Sequence, residues 1–257
     1  MKTILQSISI AFSMYSVVPM PQVTWEKEKM RYCMTAFPLV GVLTGLLLWG
    51  FNVLAGCFAF PGLLRAVCLS VLPIVLSGGI HVDGFLDTTD ALASHRDSAE
   101  KRRILKDAHV GAFAVLWLVC LMLFITALWE AYPVQAYEPV LILLVFVYSR
   151  CLSGLSVLTF APAEGSGLAG TFSEAGKGTV KLMLAETVLT AFLLCLQGIR
   201  GIVPVFAALC FFFFYKRLSR KEFGGLNGDQ AGWFLTLAEM LMLAVIVFTK
   251  LIQDQIV

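Results

Sequence analysis

Stretches of fifteen to twenty-four residues with almost no charge recur along this chain, and they restrict its fold more than any other feature. A hydrocarbon core of roughly 30 Å is crossed by about twenty helical residues. Backbone polar groups find no water there, so only helices or a closed barrel can cross. The ten-residue alternating segments of a membrane barrel are absent from the sequence. Apolar residues make up 59% of the 257 and charged residues 14%, with a mean hydropathy of +0.85. The expected fold is all-α: a polytopic helical membrane protein.

Crossings are expected at 36–58, 62–82, 110–130, 139–160, 180–198, 202–215 and 231–252, about seven helices within a range of six to eight. The sixth is short and phenylalanine-rich, which suits a tilted, re-entrant or bundle-core segment. Residues 1–18 behave differently. Met1, Ile4, Leu5, Ile8, Phe12 and Tyr15 recur at helical spacing opposite Gln6, Ser9, Ser13 and Ser16. The stretch lacks an A-x-A cleavage pattern, so it reads as an amphipathic interfacial helix ending at Pro19–Pro21 rather than as a signal peptide. The whole span 1–257 is expected to form one integral-membrane catalytic domain.

Placing the N-terminus in the cytoplasm puts fifteen lysines and arginines on that side and three on the other, with Arg150 inside a span. Positive charge favours the cytoplasmic side of a membrane, which fixes the expected orientation in a cell (inner) membrane. The same partition gathers Asp83, Asp87, Asp90, Asp97, Asp107, Glu164, Glu174 and Asp229 on that face, so the chemistry is expected there. The basic residues are accounted for by anionic lipid headgroups, not by nucleic acid. The seven cysteines are scattered and include no C-x-x-C pair, so they read as small buried apolar residues.

Three polar segments on the expected cytoplasmic face are unlike ordinary loops: 77–111, 160–179 and 216–232. The first contains GGIHVDGFLDTTDAL. Asp83, Asp87 and Asp90 stand at i, i+4 and i+7, which places them on one face of a helix. Like charges at that spacing repel by a few tenths of a kcal/mol or more, so a bound cation or a basic partner is needed to offset them. Hard oxygen ligands suit Mg²⁺, with Mn²⁺ or Ca²⁺ as alternatives. His81 reads either as a ligand or as a hydrogen-bonding neighbour of one, and Gly78, Gly79 and Gly84 permit close approach to backbone or phosphate. The plainer reading is an acidic helix end that complements its own dipole. Lys101–Arg103 read as a headgroup anchor, and Lys106 beside Asp107 as an ion pair or as paired phosphate and metal contacts.

The second segment, APAEGSGLAGTFSEAGKG, supplies Glu164 and a Gly/Ser loop without the ending of a P-loop; upstream, Arg150 needs a polar cavity or a carboxylate. The third, KRLSRKEFGGLNGDQAG, places Asn227 and Asp229 among Gly224, Gly225 and Gly228. Glu186 and Glu239 are further carboxylates inside spans. Acids, glycines and basic residues on one face are the chemistry of phosphoryl or phosphonucleotidyl transfer.

The chain resembles the cobalamin synthase (adenosylcobinamide-GDP ribazoletransferase) family over essentially its whole length. GGIHVDGFLDTTDAL is similar to G-G-x-H-x-D-G-x-x-D-x-x-D-G, ILKDAHVGAF to I-[LM]-[KR]-D-x-x-x-G, and EGSG and GGLNGDQAG stand at the expected places. Ala91 and Ala114 depart from glycines of many relatives. The resemblance implies transfer of the cobinamide phosphate of adenosylcobinamide-GDP to α-ribazole or its 5′-phosphate, with release of GMP. It implies Asp83, Asp87, Asp90 and Asp229 as Mg²⁺ (or Mn²⁺) ligands, and Asp83, Asp87, Asp90, Asp107 and His81 as catalytic candidates. Lys106, Arg150, Glu164, Gly78, Gly79, Gly225 and Asn227 become candidates for phosphate and substrate contact. Implied partners are the two substrates, membrane lipids and neighbouring cobalamin-pathway enzymes. The alternatives are a CDP-alcohol phosphotransferase-like membrane enzyme, whose acidic motif has another spacing, and a cation-coupled transporter using Arg150, Glu186 and Glu239.

Overall fold

A computed structural model describes residues 2–107 and 109–256. In chain order the α-helices are α1 (Lys2–Tyr15), α2 (Lys27–Met30), α3 (Cys33–Cys57), α4 (Gly62–Leu76), α5 (Ile80–Ala93) and α6 (Ser98–Ile104), then α7 (Ala112–Ala131), α8 (Pro139–Thr159), α9 (Gly167–Gly176), α10 (Val180–Cys195), α11 (Ile199–Phe223) and α12 (Gly228–Ile256). Six spans are long and apolar enough to cross a membrane: α3, α7, α8, α9 with α10 as one segment, α11 and α12. Counting the bent pair α4 and α5 as one broken span gives up to seven. The protein is therefore an all-α, multi-pass membrane protein.

Nearly all of α8 is buried, and α3, α10 and α12 pack around it. Gly41 and Gly45 make the α3 contact tight: a Cβ on Gly41 would lie 2.5 Å from the Phe146 carbonyl oxygen, and one on Gly45 2.6 Å from Leu143 Cα. Small residues four apart let membrane helices approach at backbone distance. The outer surface is the reverse, with large apolar side chains such as Trp117, Leu123, Phe192 and Phe206 exposed at 58–68%. Such a belt suits acyl chains rather than water.

Several expectations are corrected. The 62–82 crossing is not one helix: the chain turns by 92° between α4 and α5. Gly78 and Gly79 take φ of +64° and +82°, left-handed values that only glycine adopts at little cost, and so end α4. The short sixth crossing is instead the 25-residue α11, because the basic Lys216–Lys221 stretch continues the helix to a left-handed Gly224. The N-terminal helix buries a mixed face: Ser7 and Ser9 are buried against the bundle with Ile10 and Ala11, while Ile4, Leu5 and Ser13 are exposed. The Ser7 hydroxyl donates to the Lys29 carbonyl at 2.6 Å and accepts from the Tyr32 amide at 3.2 Å, which satisfies its burial. Met1, counted in the apolar stripe, lies outside the described residues. Of the cysteines, Cys33 and Cys151 are buried, but Cys57, Cys120 and Cys210 are exposed on the apolar outer surface.

Candidate active site

Glycine contacts between α5 and α12 set the site. A Cβ on Gly84 would lie 2.6 Å from the Asp229 carbonyl oxygen, and one on Gly232 would lie 3.2 Å from the His81 carbonyl oxygen and 3.6 Å from Gly84 Cα. Thr236 Oγ1 donates to the His81 carbonyl at 3.2 Å across the same junction. The two helices run antiparallel at backbone distance here, and this brings the acids of α5 to Asp229. Asp83, Asp229 and Asp90 all act electrostatically on Asp87, and Asp83 acts on Asp229. Asp90 turns the other way along the row, into the space that a Cβ on Gly111 would fill. Among the described residues, none of the four aspartates has a basic partner within 4.0 Å, and no three carboxylate or imidazole groups close into a ready metal cage. Asp229 is held from its own turn by Asn227, whose Nδ2 donates to Oδ2 at 2.9 Å. The Asn227 side-chain oxygen caps α12 by accepting from the Gln230 amide at 3.0 Å.

The second and third polar segments are joined by backbone. Leu226 N donates to the Ala161 carbonyl at 2.9 Å, and Ala163 N donates to the Leu226 carbonyl at 2.8 Å. Gly225 permits this, since a Cβ there would lie 2.6 Å from Ala163 N. The basic run divides three ways. Asp97 caps α6 by accepting from the Ala99 and Glu100 amides, each at 3.0 Å. Lys101 is buried and paired with Glu222 of α11, and Arg103 is exposed. Arg102 donates to the Phe223 carbonyl at 3.1 Å and lies 3.6 Å from Glu164.

These segments enclose a cavity of about 320 Å³. Its polar lining comes from Asp83, Arg102, Lys106, Glu164, Asn227, Asp229 and Gln230, and its apolar wall from α1, α3, α8 and α9. His81 lines it with its ring packed near Tyr15 and Phe37, 5.9 and 5.8 Å between centroids, and its Nε2 has no partner. Of the residues singled out in the sequence, Asp83, His81, Lys106, Glu164, Asn227 and Asp229 line this cavity. Asp87 and Asp90 continue the acidic row beside it. Gly78, Gly79 and Gly225 are not in its lining: the first two form the turn before α5, and Gly225 lies against Pro162 and Ala163. Asp107 is exposed outside the lining; the His109 side chain at 2.7 Å and the His109 amide hold its carboxyl below the usual carboxylate range. Arg150 is 2% exposed and paired with Glu239 of α12, with Ser149 Oγ donating to the same carboxylate at 3.1 Å. This pair lines a second, smaller cavity on the far side of His81. Arg102 and Gln230 are cavity residues that sequence reasoning missed. The i, i+4 relation of Arg102 to Lys106 was the available signal for the first.

Ala91 and Ala114, the departures from the family pattern, are fully buried, and Ala91 packs with Leu105 and Phe223.

Residues 7–247 match a family model described as cobalamin-5-phosphate synthase. The adenosylcobinamide-GDP ribazoletransferase of Lachnoclostridium phytofermentans is 36% identical over 95% of this chain and 94% of its own. Proteins of the same name from Clostridium perfringens (32% identical, 96% of this chain and 100% of the relative) and Desulfitobacterium hafniense (33%, 93% and 95%) are similar in extent. No solved structure matches at comparable significance. The match runs through both acid-bearing helices and the loops between them, and this chain belongs to the cobalamin-5-phosphate synthase family.

Proposed function

We infer that the chain transfers the cobinamide phosphate of adenosylcobinamide-GDP to α-ribazole or its 5′-phosphate, releasing GMP. The observation that carries the reading at this site is the meeting of the α5–α12 acids with Arg102 and Lys106 around one cavity. The acceptor hydroxyl attacks the cobinamide-side phosphorus, the bond from that phosphorus to the bridging oxygen breaks, and GMP leaves with that oxygen. The hydroxyl proton passes to a carboxylate, and Asp83 and Asp229 are the α5 and α12 aspartates that line the cavity. Arg102 and Lys106 are placed to donate to the non-bridging oxygens, whose charge a fixed cationic site stabilises without reorganisation. The apolar wall excludes water, which would otherwise hydrolyse the diphosphate. The unpaired aspartate row fits a divalent cation, with Asp83, Asp87 and Asp229 as its holders and Asp90 further along. When bound, Mg²⁺ would offset their repulsion and the charge of the diphosphate.

The positive-charge bias supports a cytoplasmic N-terminus and site in a cell membrane. On that face the acidic cavity meets substrates made in solution, and neighbouring pathway enzymes can hand them over. The assay supplies purified protein with adenosylcobinamide-GDP, α-ribazole and Mg²⁺. Expected is metal-dependent release of GMP with a cobalamin product, reduced roughly a hundredfold or more in Asp83→Asn and Asp87→Asn. GMP release that ignores a chelator, or full activity in both variants, refutes these roles.

A further inference from the structure

The side chain of Gln230 is unusual for its place. It is 1% exposed, and both amide atoms, Oε1 and Nε2, have no hydrogen-bond partner among the described residues. No other described residue leaves two separate side-chain atoms in that state. Buried amide atoms without partners cost stability, and an apolar side chain of similar size would avoid the cost. The backbone does not require glutamine either, because the Gln230 amide bonds to Asn227 whatever its side chain is. Gln230 borders the cavity and follows Asp229 directly on the first turn of α12.

We propose that Gln230 is a specificity residue that pairs with an amide edge of the substrate, a carbonyl acceptor beside an N–H donor. This rests on the transfer reading above. A carboxamide presents one acceptor and two donors, and its two-bond complement is another amide edge. The ionised diphosphate offers acceptors but no donor, and the ribazole base is an N-substituted benzimidazole without N–H. The donor substrate carries the required edge twice: in the lactam of guanine and in the carboxamides around the corrin ring. Engaging either one beside Asp229 would set the depth at which the diphosphate meets the acidic row. A site built to satisfy such an edge rejects analogues that lack it, because its own buried groups are then left unpaired.

The test uses the full chain in detergent, with Gln230→Met and Gln230→Leu. KM for adenosylcobinamide-GDP is expected to rise about tenfold or more, the scale of a lost neutral hydrogen-bond pair. The melting temperature of the ligand-free protein is expected to stay level or rise, since an orphaned amide has been removed. A cobinamide linked to the diphosphate of purine riboside, whose base has no lactam and no exocyclic amine, separates the two sources, because adenine would itself pair with an amide through its N6 amine and a ring nitrogen. If guanine is read, the preference for the GDP-linked substrate shrinks in the variants; if a corrin carboxamide is read, KM rises equally for both substrates. An unchanged KM in both variants overturns the proposal. So does a melting temperature lowered in both, because the amide then serves the fold. Wild-type GMP release is measured first, and its absence would sink the transfer reading alone. Equilibrium binding of GDP and of adenosylcobinamide to wild type and Gln230→Met still decides on Gln230: one ligand binds about tenfold more weakly, or the proposal fails.

Discussion

Substituting Gly84 by alanine adds one methyl group at the tightest point between α5 and α12. Its Cβ would lie 2.6 Å from the Asp229 carbonyl oxygen, 3.0 Å from Asp229 Cα and 3.2 Å from Asp229 C, where ordinary contact begins near 3.4 Å. These three atoms are all backbone, so no side chain can swing away, and the helices must separate by roughly 0.8 Å at this point. Overpacking of this kind costs about 1–3 kcal/mol of stability. The effect on catalysis is expected to be larger in proportion. Asp83 lies one residue from the clash and Asp229 is the residue struck, so the spacing of the acids changes directly. A displacement near 1 Å between reacting groups can cost a hundredfold, and a fall in kcat of about that size is expected. The assay is GMP release at saturating substrates, with thermal unfolding of the same preparation in detergent. Gly50→Ala in α3 is the control, because nothing lies within 4 Å of its added methyl. A Gly84→Ala protein with wild-type kcat and melting temperature would refute the claim that this crossing sets the acidic row.

Breaking the buried Arg150–Glu239 pair with Arg150→Met is expected to lower stability by about 3–5 kcal/mol, and adding Glu239→Leu should recover most of it. A single variant that melts with the wild type would remove the pair from the structural account. In the basic run, Lys101→Met should destabilise by about 1 kcal/mol through loss of its buried pair, since Glu222 keeps Lys221 at 3.2 Å, whereas Arg103→Ala should stay within about 0.5 kcal/mol. Equal effects of the two would contradict the division seen here. Gly225→Ala should separate the 161–163 and 225–226 backbones and lower kcat/KM while helix content by circular dichroism is kept; unchanged kinetics would count against the joined loops.

The crossings were legible because hydrocarbon tolerates few polar groups, which leaves long uncharged runs as a direct record of each span. Their ends were less legible. A helix that emerges from the membrane needs no change of backbone geometry, so α11 continues through Lys216–Lys221, where hydropathy alone places a stop. The α4–α5 break was hidden for the opposite reason: Ser77–Gly79 sit within apolar sequence, and their left-handed turn does not register in hydropathy. The acidic row was visible in its i, i+4, i+7 spacing. Its fourth member, Asp229, comes from a helix more than a hundred residues later, and only the Gly84–Gly232 contact brings it in.

The basic run shows where local reading could have gone further. Asp97 and Glu100 form a helix-start pattern, and Asp97 does cap α6 through the Ala99 and Glu100 amides. Once that start is fixed, Arg102 and Lys106 fall one turn apart on a shared face, and Lys101 and Arg103 point to either side of it. Headgroup attraction treats the three basic residues as equivalent, but the helix does not. Lys101 is committed to Glu222, Arg103 is left to solvent, and Arg102 is fixed between the C-terminal carbonyl of α11 and the cavity. A guanidinium held in that way loses little freedom on meeting an anion, and so Arg102 is better suited than a mobile surface arginine to orient a diphosphate.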